Sequence, residues 1–250
     1  MVRKFKKVLK DFLTTVRNSE DHANLARSMN ANILSMNTLE SLIDENFRKY
    51  IPFTDYALSP YTITHILNDM TINSRKNIVE FGSGASTIYI ALYMKKHNIG
   101  QSFVSFDQDS HWLETIQSTY LNDISLANNQ KFNLIHAPLL PTNFGKKDEA
   151  RWYSEEIVNS NVNDPVHCII VDGPTGDINR FARYPVINFI VNHLSEDGVV
   201  FIDDAKREGE KEIINVLVDK YGFKRVFTLS HCVLTRNATF LTRPIGDYLG

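Results

Sequence analysis

Little in this sequence works as a staple, a membrane anchor or a charged lure. Its 250 residues include two cysteines, Cys168 and Cys232. Both lie in apolar runs, where a free thiol behaves as a small buried hydrophobe. A disulfide framework is therefore not the organising device, and a reduced, cytoplasmic setting is the expectation. No apolar run approaches the roughly eighteen residues of a membrane span, and the N-terminal stretch lacks the apolar core of a secretion signal. The formal net charge is -2, so no global field recruits nucleic acid, and the basic residues do not spread along one face as a nucleic-acid surface requires. Internal repeats and low-complexity tracts are absent too.

What is present suits one α/β domain with an extension, since 43% apolar residues suffice for a core. Residues 1–75 read as an N-terminal helical extension and 76–250 as the main domain. Within residues 1–17, Phe5, Val8, Leu9, Phe12, Leu13 and Val16 fall on one helical face, and Arg3, Lys4, Lys6, Lys7, Lys10 and Arg17 on the other. Such a basic amphipathic helix can lie against the inner, anionic face of a membrane. It can equally pack on its own domain or on a partner chain, including a second copy in a homo-oligomer. Both readings stand open. Ser59-Pro60-Tyr61 opens a helix through Met70, with Pro near its start. Tyr61 and Thr62 are placed either to touch ligand or to pack.

From Asn77 the pattern alternates between apolar strands and amphipathic helices, which predicts a doubly wound, mostly parallel sheet covered on both faces. Strands are expected over 103–106, 132–135, 166–171 and 198–202. Trp152 and Tyr153 fall in a loop and helix, as a lid, a stacking wall or simple packing. The last two strands are expected at Phe223–Leu229 and Ala238–Thr242, as an antiparallel edge.

The first strand runs through Glu80 into Gly82-Ser83-Gly84 and then Ser86-Thr87 at a helix start, the form of a βα nucleotide-binding turn. Glycine gives the turn φ freedom and leaves no Cβ in the way, and the helix start adds free N–H groups. The third glycine of the dinucleotide fingerprint is missing. A carboxylate at Glu80 would sit where a pyrophosphate lies, which favours a cationic or zwitterionic ligand tail. An ordinary tight turn would leave the same trace.

Acidic residues close three further strands. Asp107 stands 25 residues after Gly82, the position from which a carboxylate accepts hydrogen bonds from ribose hydroxyls. Asp172 follows Val171, and Asp203-Asp204 follow Ile202. The last two sets end strands that should be neighbours, so Asp172, Asp203 and Asp204 suit Mg²⁺, a hard ion served by one or two carboxylates plus water. Such an ion lowers the pKa of a substrate hydroxyl. Alternatively Asp203 caps a turn, Asp204 pairs with Lys206 or Arg207, and no metal binds.

Taken in order, Glu80-Phe-Gly-Ser-Gly-Ala-Ser-Thr, Ser105-Phe-Asp-Gln-Asp-Ser-His-Trp, Val171-Asp-Gly-Pro and Phe201-Ile-Asp-Asp-Ala resemble the class I S-adenosylmethionine-dependent methyltransferases over residues 75–245. The resemblance implies a Rossmann-like seven-stranded sheet with its last strand antiparallel. It implies that Glu80, Gly82, Ser83, Gly84, Ser86 and Thr87 surround the methionine portion of the cofactor, that Asp107 and Gln108 serve the ribose, and that His136 and Ala137 flank the adenine. Asp172 would stand near the methyl group. The acidic doublet looks like that of the Mg²⁺-dependent O-methyltransferases of the catechol and macrocin types, so the implied reaction is O-methylation of a small-molecule or glycan acceptor. Thr175 stands where the catechol type has a lysine base, which leaves the base open, with Lys206 and His193 as candidates beside Asp172 as a catalytic residue. Arg180 and Arg183, with Tyr184, suit an anionic or sugar-like substrate or a surface ion pair. Two rivals remain: a non-catalytic adenosyl-ligand-binding scaffold, and an NAD-linked oxidoreductase.

Overall fold

A computed structural model of the chain describes residues 22–43, 47, 49–146, 150–176, 179–237 and 239–245. The expected basic helix of residues 1–17 lies outside the described residues. Helix α1 (residues 22–40) and α2 (Pro60–Ile72) precede the sheet. Ser59 caps α2, its hydroxyl accepting from the Thr62 N–H at 3.1 Å, and Pro60 occupies a first-turn position where a missing N–H costs nothing.

The sheet then builds from β1 (Asn77–Phe81), α3 (Ala85–His97), β2 (Ser102–Asp107), α4 (Ser110–Ile116, prolonged by a π-turn to Leu121) and β3 (Lys131–His136). A small antiparallel ribbon of β4 (Leu139–Pro141) and β5 (Arg151–Tyr153) follows, then α5 (Glu155–Asn161) and β6 (Val166–Val171). The chain closes with α6 (Val186–His193), β7 (Leu194–Asp203), α7 (Glu208–Tyr221), β8 (Lys224–Phe227) and β9 (His231–Thr235). The order across the sheet is β3-β2-β1-β6-β7-β9-β8, and β9 runs antiparallel to both of its neighbours. The β4/β5 ribbon was not expected, and the last strand is His231–Thr235 rather than Ala238–Thr242. The apolar side chains that suggested the later strand, Phe240 and Leu241, are about three-quarters exposed.

The central strands are apolar runs because both of their faces are covered. Along β1 successive side chains alternate: Ile78 joins the core under α2 and α3, while Val79 and Phe81 join the core under α6 and α7. Leu39, Phe47, Leu58 and Ile66 share the first of these cores with Ile78 and Ile170, so the helical segment before the sheet packs as part of one body with it. Phe81 sits among Phe106, Trp152, Tyr153 and Phe189, with ring centroids 4.9–5.6 Å away. Trp152 and Tyr153 are 3% and 1% exposed, so they are core residues and neither lid nor stacking wall. Among the described residues no helix is long and apolar enough to cross a membrane.

The strand order reverses between β1 and β6, which leaves a crevice beyond their carboxyl ends. The turns after these two strands touch there: the N–H groups of Asp172 and Gly173 both donate to the Phe81 carbonyl, at 2.9 and 2.6 Å.

Candidate functional site

A cleft of about 1060 Å³ opens at this reversal. That is room for a drug-sized ligand and a second molecule beside it. One half is built on the glycine turn. Gly82 takes φ +96°, a backbone region that suits glycine, and a Cβ there would lie 2.7 Å from the Gly173 nitrogen. At Gly84 a Cβ would meet nothing within 4 Å, so the space above this turn belongs to the cleft.

Asp107, buried at the end of β2, is fixed by the same turn. Its two oxygens accept from the Ser83 and Asp109 N–H groups at 2.9 Å each. Burial raises its pKa, backbone hydrogen bonds from Asp109, Ser83 and Gln108 oppose the rise, and the residue lines the cleft. Ser83 and Gln108 line the cleft with it. The Trp112 indole N–H donates to the Ser83 carbonyl at 2.8 Å and places that ring on the cleft wall.

Glu80 does not reach the cleft. The alternation of β1 turns its side chain toward the first turn of α3, where it is fully buried and accepts from Ser86, Thr87 and Ser105 at 2.5–2.6 Å. Burial pushes its pKa up to about 7 against those three hydroxyls. The expectation that this carboxylate displaces a pyrophosphate is corrected: Glu80 ties the glycine turn down from below. Ser86 and Thr87 are spent on the same task and do not line the cleft either. His136 and Ala137 stand beside Asp107 at the end of β3, but neither lines the cleft. His136 instead shares a hydrogen bond with the Gln108 carbonyl at 3.1 Å, and Ala137 is fully buried.

The other half of the cleft holds the acids. One carboxylate oxygen each from Asp172, Asp203 and Asp204 lie within 4.8 Å of one another. Asp172 has its pKa raised to about 6 by burial, with the Arg183 guanidinium opposing. The Asp203 pKa is pushed well above the carboxylate range by burial and by its two neighbouring acids. Asp204 takes a left-handed φ of 53°, a conformation that aspartate tolerates. Arg183, 5% exposed, reaches Asp172 at 3.2 Å and Asp204 at 3.5 Å. Arg207 meets Asp204 from outside at 2.8 Å.

Glu210 in the first turn of α7 also lines this half, and its Oε2 is buried without a hydrogen-bond partner. Sequence reasoning missed Glu210, because a first-turn glutamate ordinarily serves the helix dipole. Pro52, Thr54, Asp55, Tyr56 and Ala57, from the segment before the sheet, line the cleft as well. The orphaned oxygen and the crowded all-oxygen donor set fit a divalent ion of the Mg²⁺ kind.

The candidate catalytic residues separate. Asp172 lines the cleft, whereas Lys206 is exposed and does not. His193 lies at the far end of the sheet, at the close of α6, where it stacks on Phe189 and pairs with Asp164 at 2.9 Å. Its helix sets it against the amino ends of the strands, so it is no part of the cleft. Tyr61 and Thr62 are buried and off the cleft, and Thr62 bonds Ser230 at 2.8 Å. Arg180 lines the mouth beside Arg183, while Tyr184 does not.

No protein-family model matches the sequence, and a comparison with curated protein sequences finds no match either. Solved structures do match. The methyltransferase PaMTH1 of Podospora anserina, crystallised with SAH bound, superposes with a TM-score of 0.53 at 12% identity, covering 88% of this chain and 96% of that one. An O-methyltransferase from Bacillus cereus, in complex with SAH, gives a TM-score of 0.50 at 14% identity, covering 79% of this chain and 89% of that one. Likeness at such identities is a likeness of fold, and it agrees with the strand order above: the chain has the Rossmann-like methyltransferase fold.

Proposed function

We propose that this protein is an S-adenosylmethionine-dependent O-methyltransferase acting on a hydroxyl of a small-molecule or glycan-type acceptor. The observation that carries the proposal is the cleft joining the Gly82–Gly84 turn and Asp107 at one end to the half-buried carboxyl of Asp172 at the other. S-adenosylmethionine supplies a methyl group on a sulfonium, and transfer to oxygen leaves the neutral thioether. The chain's part is positional and protolytic. The glycine turn admits the cofactor backbone-close, Asp107 accepts from the ribose hydroxyls, and Trp112 walls that half from water.

Asp172, with its pKa near 6, is ionised at neutral pH yet basic enough to take the acceptor's proton. Asp203 and Asp204 complete a donor set for Mg²⁺, which when bound lowers the pKa of the acceptor hydroxyl. The acceptor half alternates amide, guanidinium and carboxylate groups at Asn179, Arg180, Arg207 and Glu208. Such a wall suits the many hydroxyls of a sugar, and Tyr56, 74% exposed at the mouth, offers a ring for stacking.

Calorimetric titration with S-adenosylmethionine and with NADH tests the cofactor: tight NADH binding without S-adenosylmethionine binding overturns the reading in favour of an oxidoreductase. A methyl-transfer screen over sugars, glycolipids and phenols, with and without Mg²⁺, then finds the acceptor. With it in hand, Asp172→Asn should lower kcat about 100-fold or more and leave cofactor affinity within a few-fold. With no divalent ion added, the wild-type rate should climb with pH through about 6 as Asp172 loses its proton.

A further inference from the structure

The acid cluster already contains a cation. Arg183 enters from the turn before α6, its Nε donating to the Pro174 carbonyl at 3.1 Å. From there Nη2 donates to Asp172 Oδ1 at 3.2 Å, Nη1 to Asp204 Oδ2 at 3.5 Å, and Nη1 stands 3.6 Å from Glu210 Oε1. Three carboxylates thus share one buried guanidinium, at distances longer than a tight fork allows. Arg207 adds a second positive charge at Asp204 from the solvent side. Four carboxyl groups face two guanidinium groups, and Asp203 has no ion-pair partner among the described residues. Independently, Glu210 Oε2 is buried and makes no hydrogen bond, although its residue is only 4% exposed. A buried carboxylate oxygen in that condition costs free energy until a donor or a cation reaches it.

We infer that Arg183 is an exchangeable counterion: it neutralises Asp172 and Asp204 in the cation-free chain and moves fully onto Glu210 when a divalent cation takes those two carboxylates. Asp172 and Asp204 cannot give their facing oxygens to Arg183 and to a divalent ion at full strength together, because the guanidinium and the ion repel. Glu210 lies one guanidinium width away with an unused oxygen, so the displaced arginine has somewhere to go. The arrangement makes Arg183 an internal competitor that weakens cation binding, and Glu210 a helper that strengthens it. This rests on the cation site included in the proposed function, and it is tested without turnover.

Mn²⁺ titration of the full chain, followed by calorimetry or by the loss of free-ion EPR signal, should give at least tenfold tighter binding for Arg183→Met than for wild type. Glu210→Gln should bind several-fold more weakly than wild type. Since removing a buried cation can unfold the chain, Arg183→Lys provides the second variant: it keeps the charge but loses the planar fork, and its affinity should fall between wild type and Arg183→Met. Thermal unfolding establishes that each variant is folded. Unchanged or weaker Mn²⁺ binding in both Arg183 variants overturns the inference, as does an absence of Mn²⁺ binding in all of the proteins. S-adenosylmethionine titrated into the same samples separates the two readings: cofactor binding with no difference in Mn²⁺ affinity sinks the counterion exchange alone. The expected Mn²⁺ ranking without cofactor binding upholds the exchange and sinks the methyltransferase.

Discussion

The two halves of the cleft are held together in different ways. The half around the glycine turn comes almost wholly from one stretch of chain, β1 through the start of α4, and its polar groups satisfy one another at close range. Ser83 N–H bonds Asp107, Ser83 Oγ bonds Ser105 Oγ at 2.7 Å, and Ser105 in turn serves Glu80. The acid half draws on four separate places, the ends of β6 and β7 and the starts of α6 and α7. Its contacts around Arg183 stretch to 3.2–3.6 Å and leave one buried oxygen bare. A network with every partner in place is rigid before ligand arrives, whereas a half-satisfied one is completed by what binds. On the proposed reading, the first half holds a cofactor of fixed shape and the second responds to charge.

The sharpest way to break the rigid half is at Gly82. Gly82→Ala places a Cβ 2.7 Å from the Gly173 nitrogen and 3.0 Å from the Asp172 carbonyl carbon, in a left-handed conformation that alanine disfavours. Backbone on both sides must move, so thermal unfolding should report a loss on the order of 3–5 kcal/mol. Asp172 should shift with the turn, and both cofactor and acceptor binding should fail. Gly84→Ala is the matched comparison, since its Cβ meets nothing and its backbone is extended. Stability should change by less than about 1 kcal/mol, the ordinary cost of alanine at a helix N-cap, while S-adenosylmethionine affinity drops. Equal stability losses in the two variants would contradict the close approach of the two turns.

A second test asks whether Glu80 belongs to the fold rather than to the ligand. Its pKa of about 7 in the folded chain stands above the usual 4.5, so folding favours the protonated form. The stability that this contributes is complete below pH 4.5 and is lost as pH rises through 7, with a total of about 3 kcal/mol. Glu80→Gln keeps the shape and removes the titration. Between pH 5 and 8 its unfolding free energy relative to wild type should rise by about 3 kcal/mol, measured by denaturant melts at each pH. A constant difference would show that Glu80 does not carry the proton.

That residue also marks where the sequence could be read and where it could not. The mostly parallel sheet and the strand-end acids were legible because apolar runs alternating with amphipathic helices, and glycine turns, report local geometry directly. Asp107, Asp172, Asp203 and Asp204 all line the cleft for this reason. Glu80 was misjudged by one residue of alternation: Phe81, not Glu80, ends β1, so the carboxylate faces α3. His193 was misjudged because periodicity places a residue on a helix without saying which end of the sheet the helix end meets. Arg183 and Glu210 were invisible as a pair, since 27 residues of sequence separate two side chains whose charges lie 3.6 Å apart. The strand His231–Thr235 escaped because its apolar core is only Cys-Val-Leu.

The mildest prediction contrasts Arg183 with its neighbour in sequence, Arg180. Arg180 pairs with Glu208 across the mouth of the cleft, and the two side chains are 59% and 64% exposed. Water and salt screen such a pair, and ordering two long side chains offsets most of its attraction, so Arg180→Gln should change stability by less than about 1 kcal/mol. It should leave Mn²⁺ affinity where it was, because Glu208 is not among the acids that meet Arg183. Any functional effect should appear as a higher KM for the acceptor with kcat unchanged, the signature of lost uniform binding at the rim. A large stability loss, or an Mn²⁺ affinity that moves with Arg180, would mean that the charge network runs continuously from the buried acids to the surface. The boundary between a responsive interior and an inert rim would then have to be redrawn.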